Sequence, residues 1–165
     1  MESIDAIAKA AFSFLFSNEI ETSLLFSDIN LSAHLSVSAK QFALDSGLLS
    51  KRKGKRCHDK TSSFVHKTVQ EFLAACHISN NQDVMDEIIS KYIKRHDNSY
   101  LKISQVFIFL CGLSASAANK LSELMNVYDG DRDIVSRDEI PLQATIVYRE
   151  AVSNKNTPIY LHLRL

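Results

Sequence analysis

Residues 62–77 carry the strongest structural signal in the chain, and they read Ser62-Ser63-Phe64-Val65-His66-Lys67-Thr68-Val69-Gln70-Glu71-Phe72-Leu73-Ala74-Ala75-Cys76-His77. The start of this stretch, through Phe64 and Val65, is short, apolar and typical of a β-strand. From Val69 the apolar residues recur with the period of an amphipathic helix, on a face formed by Val69, Phe72, Leu73 and Cys76. His66 is therefore predicted to lie where a strand runs into a helix, with Phe72 central to the buried face of that helix.

Two roles are open to a histidine at this junction. The start of a helix presents unpaired N–H groups and a partial positive charge, so an imidazole there can help to hold an anion such as phosphate. Alternatively, His66 only caps the helix. The spacing of the residues leaves both readings open.

The same residues resemble a signature of the NOD-like receptors, Phe-x-His-x-(Ser/Thr)-x-Gln-Glu-(Phe/Tyr)-x-Ala-Ala. The matching positions are Phe64, His66, Thr68, Gln70, Glu71, Phe72, Ala74 and Ala75. In that family the signature lies where the winged-helix subdomain of the NACHT ATPase module meets the next helical subdomain. The resemblance implies that His66 contacts the terminal phosphate of bound ADP and helps to hold the receptor in a closed, resting state.

Two weaker resemblances extend this one. Residues 45–49 are similar to the family's element that enters the wing, and residues 106–113 to the apolar helix of its second helical subdomain. Together the resemblances run from about residue 3 to about residue 128. They imply a regulatory part of a NOD-like receptor, acting as a nucleotide-dependent conformational switch in innate immune signalling.

Composition sets broad limits on the class of protein. The chain has 165 residues, 45% of them hydrophobic, and a formal net charge of zero, which is typical of a globular protein with one domain or two small ones. Neutral charge predicts no general attraction to nucleic acid or to an anionic membrane.

Three cysteines are too few for a disulfide framework. With no evident signal peptide and no apolar run long enough to span a bilayer, we expect a cytoplasmic protein.

The order of predicted elements gives a mostly α fold, in which a winged helix with a small β-hairpin precedes an α-helical bundle or superhelical subdomain. We assign residues 1–78 to the winged helix, 83–155 to a helical subdomain like the second one of NOD-like receptors, and 156–165 to a C-terminal tail compatible with a lead-in to leucine-rich repeats. The winged helix is predicted to hold a helix from Ser3, a strand at 24–26, a turn at 27–30, a helix at 32–46 ended by Gly47, a strand from 48, a basic loop at 51–56 and a strand at 63–65. The helical subdomain is predicted to hold helices near 84–92, 100–110, 117–128 and 140–151, then a short strand at 159–163.

The sequence contains no Gly-x-x-x-x-Gly-Lys-Ser/Thr loop, which is the element that cradles a triphosphate. We therefore expect no catalytic residue, no enzymatic activity and no cofactor in the isolated chain, with ADP or ATP implied only for a complete receptor. The expected partners are an upstream NACHT ATPase core, neighbouring receptor protomers and leucine-rich repeats downstream. The chain would then be a fragment or a shortened gene product.

Three other interpretations compete with the receptor. A zinc site is not expected, because the pairs Cys57-His58 and Cys76-His77 lack the usual ligand spacing. A DNA-binding winged helix could use the basic run 51–56, but the helix before it offers only Lys40 and Gln41 for contacts, so nucleic acid is not an expected partner. The third alternative is a plain protein-interaction module that docks partners on helices 84–152.

Overall fold

The computed structural model describes residues 2–16, 26–53, 60–96, 99–129, 139–156 and 159–160. The chain divides into two compact units, Met1–His77 and Ile78–Leu165. The described residues are mostly helical, and their three strands form one antiparallel sheet in the first unit. This confirms the predicted fold class, a mostly α chain with a winged helix followed by a helical bundle. The assignment of the second unit to a receptor subdomain stays a prediction.

The first unit begins with helix α1 and builds its sheet around a central strand. Its elements are α1 (Glu2–Phe16), β1 (Phe26–Ser27), α2 (Asp28–His34), α3 (Val37–Asp45), β2 (Leu49–Lys53), β3 (Lys60–Phe64) and α4 (Lys67–Asn80). Strand β3 lies between β1 and β2 and is antiparallel to both. The chain leaves the sheet from its central strand, directly into α4.

Two capped helices replace the predicted turn at 27–30 and the predicted single helix at 32–46, so both predictions are wrong. The Ser27 hydroxyl accepts a hydrogen bond from the Asn30 N–H at 3.1 Å and starts α2. The Ser36 hydroxyl accepts one from the Ala39 N–H at 3.2 Å and starts α3. A serine that bonds to the backbone three residues on favours a new helix start over helix continuation. Helices α2 and α3 therefore form the helix-turn-helix of a winged helix.

The hairpin β2–β3 is longer than predicted. Gly47 ends α3 with a φ of 74°, as its predicted position after the helix requires. Leu49 then pairs with Phe64, and the pairing continues outward to Lys53 and Lys60. Half of the basic run predicted as a loop is thus strand, because backbone pairing tolerates charged side chains on an exposed edge strand. The tip of the hairpin, residues 54–59, lies outside the described residues, as do Leu24 and Leu25 of the first predicted strand.

Aromatic rings form the centre of the first unit's core. The rings of Phe14 and Phe26 stack with centroids 4.1 Å apart, and the Phe64 ring meets that of Phe26 edge-on at 5.9 Å. Aliphatic residues from the surrounding elements complete the cluster, among them Ile7, Ala11, Leu31, Leu35, Ala39, Ala43, Leu49 and Leu73. Elements α1 to α4 and the sheet therefore share one core.

Helix α4 buries a face that only partly matches the predicted one, since Leu73 is buried and Val69 packs against the core as predicted. Phe72 exposes 42% of its surface, so its predicted central place in the core is wrong. The buried residues include Gln70, Glu71, Ala74 and Ala75. Glu71, Ala74 and Ala75 have the helical i, i+3, i+4 spacing, but the first is charged, so the apolar pattern alone did not show this face.

All the secondary-structure elements of the second unit, in its described part, are helices. A π-helical turn, Met85–Ile89, leads into α5 (Ser90–Arg95), α6 (Ser99–Leu113), α7 (Ala115–Asp129) and α8 (Glu139–Ser153). Helix α6 is central, as predicted, and packs against α7 and α8. Its buried side chains are Ile103, Val106, Phe107, Leu110 and Cys111. Of the predicted closing strand at 159–163, Ile159 and Tyr160 are not in a strand and the other residues lie outside the described part.

Helices α6 and α8 approach closely at Gly112. A Cβ atom there would lie 2.8 Å from Glu150 Oε1 and 2.9 Å from Asn154 Nδ2, so a larger residue would have to displace the ends of these two flexible side chains. The Asn156 side chain, just after α8, donates hydrogen bonds to the carbonyls of Cys111 at 3.1 Å and of Gly112 at 2.5 Å. These bonds satisfy carbonyls at the end of α6 that have no partner within the helix.

Candidate functional site

The predicted site lies at the junction between the central strand β3 and helix α4. The Val65 N–H donates to the Leu48 carbonyl at 3.1 Å, which continues the hairpin pairing up to the junction. The His66 carbonyl then accepts from the N–H groups of Val69 at 3.1 Å and Gln70 at 3.3 Å. His66 is therefore the last residue before α4, held between a sheet and a helix that share one core.

The His66 side chain is exposed to solvent. Among the described residues, no hydrogen bond, ion pair or ring contact involves its imidazole. The first N–H groups of a helix also lack partners within the helix and carry partial positive charge. The junction thus presents an imidazole beside free backbone donors, an arrangement able to contact an anion. The backbone of His66 caps α4, and its side chain stays available to contact a ligand.

A buried carboxylate lies one turn further along α4. Glu71 is 6% exposed, and Lys67 reaches its Oε1 with Nζ at 3.4 Å. Burial raises the pKa of Glu71 above its ordinary value, while the charge and hydrogen bond of Lys67 act in the opposite direction. Since the raised pKa is the net result, the folded protein binds a proton at Glu71 more tightly than the unfolded chain does.

Replacing Glu71 with glutamine is expected to stabilise the first unit at neutral pH. A carboxyl with a raised pKa destabilises the fold when ionised, and this cost appears as the pH rises through the ordinary pKa and then the raised one. The wild-type chain should therefore lose stability on going from acid to neutral pH at this position, and E71Q should not. Thermal melts of both chains at several pH values measure this difference. A variant that melts lower than the wild type at pH 7, with the gap closing in acid, would contradict the assignment.

Of the two cysteine–histidine pairs, Cys76-His77 lies within the described residues and Cys57-His58 lies outside them. Cys76 is half-buried on α4, Cys111 is buried in α6 of the other unit, and Cys57 lies outside the described residues. Burial raises the pKa of the Cys76 thiol, and burial together with the charge of Glu150 raises the pKa of Cys111 to about 12. Both thiols therefore stay protonated at neutral pH, which suits packing and not metal binding or nucleophilic chemistry. No group of three or more metal-ligating side chains occurs in the described residues.

The face that a DNA-binding winged helix would use is occupied by internal bonds. Lys40, on the helix α3 that would read bases, pairs with Asp28 at 2.7 Å. Gln41, its neighbour, donates to Asp45 Oδ1 at 2.7 Å. The two side chains that the sequence offered for base or phosphate contacts are thus bonded to carboxylates of the chain itself.

Comparison with known proteins finds a distant relative. Protein NLRC5 of Ictalurus punctatus is 26% identical to this chain over 134 residues, which cover 74% of this chain and 8% of that protein. No protein-family model matches the chain. The chain therefore spans less than a tenth of the relative's length, and the match indicates a distant relationship with an NLR protein.

Within the described residues, no helix combines the length and apolarity needed to cross a bilayer.

Proposed function

We propose that this chain is the regulatory, winged-helix part of a NOD-like receptor and acts as a nucleotide-dependent conformational switch in the cytoplasm. In this proposal an upstream ATPase core holds ADP, and His66 contacts the terminal phosphate from the winged-helix side. The NLR named in the comparison belongs to the receptor class that the signature at 64–75 resembles. Neighbouring protomers and downstream leucine-rich repeats are the further partners of the proposed receptor.

The exposed His66 imidazole at the start of α4 is the observation that carries the proposal. Its backbone is fixed by the hairpin and by the first turn of α4, while its side chain has no described partner. A ligand that docks at this junction therefore meets an imidazole carried on a fixed backbone, without first breaking an internal bond. A buried or internally bonded imidazole could not serve a phosphate in this way.

The size of the effect follows from the chemistry of the contact. One hydrogen bond from an imidazole to phosphate is worth about 0.5–3 kcal/mol, with the higher values for a charged donor. If this contact forms only in the closed state, it shifts the closed–open equilibrium roughly two- to a hundred-fold. Such a bias is sufficient for a switch that a second signal must overcome.

In the complete receptor, His66→Leu is expected to raise basal oligomerisation, because the closed state loses its phosphate contact. Gel filtration with light scattering measures the monomer fraction of the wild type and the variant. Lys91→Leu, which adds the same apolar side chain at an exposed position of α5, controls for association through an exposed leucine. A monomer fraction that His66→Leu leaves unchanged, or that both variants lower equally, would contradict the proposed role. Absence of a Walker A loop upstream in the transcript would count against the receptor as a whole.

A further inference from the structure

A groove on the first unit runs between the helix-turn-helix and strand β2. Its volume is about 410 Å³. We call it the α3–β2 groove, and its lining residues are Ser32, Leu35, Ser36, Val37, Lys40, Gln41, Leu44 and Lys51. None of these belongs to the strand–helix junction at His66, so the groove is a separate feature of the surface.

One wall of the groove is apolar and open to solvent. Val37 exposes 88% of its surface at the first position of α3, and the groove is also lined by Leu35 and Leu44. A lone exposed valine needs no explanation. Here it adjoins a concavity in which Leu35 is buried and Leu44 is half-buried, so an apolar side chain from a partner would bury surface mainly against Val37 and Leu44.

The charge of the lining has one sign. Two lysines, Lys40 and Lys51, line the groove, and no carboxylate does. Lys40 is paired with Asp28, which lies outside the lining. Lys51 is exposed and has no ion pair among the described residues. The charge at the groove that has no ion-pair partner among the described residues is therefore positive, and it lies on Lys51 of β2.

We propose that the α3–β2 groove docks an acidic segment of a partner protein, which inserts one large apolar side chain beside Val37 and places a carboxylate against Lys51. The positive charge of Lys51 favours a carboxylate in the partner segment, and the exposed apolar surface of Val37 favours a large apolar side chain next to that carboxylate. A nucleic-acid backbone fits less well, because it offers no apolar group for Val37. This docking site does not depend on the role of His66, and the two proposals are tested by separate experiments.

Anisotropy of fluorescein-labelled peptides added to the full chain tests the proposal. The probe is a peptide of about ten residues with a central phenylalanine flanked by glutamates. Matched peptides carry serine for the phenylalanine or lysines for the glutamates, and a DNA duplex of about 20 base pairs is the competing ligand. At about 0.15 M salt, where screening acts over roughly 8 Å, the first peptide should bind with a Kd of about 10–500 μM and the others should bind at least about threefold more weakly.

The strand and helices supply matched control variants. Lys51→Glu should weaken binding of the acidic peptide roughly three- to tenfold, whereas Arg52→Glu, on the opposite face of the same strand, should change it less than about twofold. Val37→Ser should weaken binding about threefold or more, whereas Ile29→Ser, an equally exposed position on α2 outside the lining, should not. Circular dichroism of each variant confirms that it folds.

Three results would overturn the proposal. The first is no binding of the acidic peptide up to about 1 mM. The second is an equal loss for Lys51→Glu and Arg52→Glu, which would indicate general attraction to a basic strand. The third is tighter binding of the duplex than of the peptide, lost on Lys51→Glu, which would assign the groove to nucleic acid.

Discussion

Replacing Phe26 with alanine is expected to lower the free energy of unfolding of the first unit by about 3–5 kcal/mol. Phe26 is 1% exposed, stacks on Phe14 at 4.1 Å and meets Phe64 edge-on at 5.9 Å. Its removal leaves a cavity between strand β1 and helix α1, and it breaks two aromatic contacts. Denaturant unfolding followed by circular dichroism suits this chain, because it has no tryptophan to report by fluorescence.

Phe72→Ala is the matched control, since it makes the same chemical change at a position where 42% of the surface is exposed. Its expected cost is about 1 kcal/mol or less, because most of the cavity term is absent. Equal losses for the two variants, or a larger loss for Phe72, would show that α4 buries the face indicated by the apolar pattern and not the face seen in the structure.

Leu110→Ala is expected to lower the free energy of unfolding of the second unit by about 2–5 kcal/mol. Leu110 is fully buried in α6, the helix that packs against both α7 and α8. Its loss therefore opens a cavity inside the second unit. The expected loss of unfolding free energy is large because Leu110 is fully buried, and a close-packed interior fills such a cavity only in part.

Leu113→Ala, three residues further along the same helix, provides the comparison. Leu113 is 39% exposed, so the same substitution should cost about 1 kcal/mol or less. Hydrogen exchange of the amides in α6 reports on the second unit separately from the first. If Leu110→Ala left the exchange of α6 unchanged, the helix would not be the centre of that unit.

Sequence reasoning was most accurate where the signal is local. Gly47 was predicted to end α3 because a helix that stops sharply needs a left-handed residue, and its φ of 74° agrees. The apolar period of α6 predicted a buried central helix, and the structure confirms it. Both features depend on a few neighbouring residues and not on the rest of the fold.

Sequence reasoning failed where two local rules compete. Ser36 can lie within a helix or cap the next one, and the helical period across 32–46 hid the second option. Glu71 lies on the buried face of α4, so a pattern that counts only apolar residues assigned Phe72 to the core instead.

The exposure of His66 and the α3–β2 groove could not have been predicted from the sequence. Both depend on how separate elements meet, since the groove lies between α2, α3 and β2, and the environment of His66 is set by the end of the hairpin. A residue's neighbours along the chain do not reveal which side chains from other elements lie near it. The signature at 64–75 pointed to His66 through resemblance alone.

The affinity of the complete receptor for ADP, measured by calorimetry for the wild type and for His66→Leu, tests the central claim most directly. A lost imidazole–phosphate contact should weaken ADP binding roughly two- to a hundred-fold. Lys91→Leu should leave the affinity unchanged, because Lys91 is not part of the strand–helix junction that carries His66. Equal ADP affinity in the wild type and in a folded His66→Leu receptor would contradict the claim that His66 holds the nucleotide phosphate.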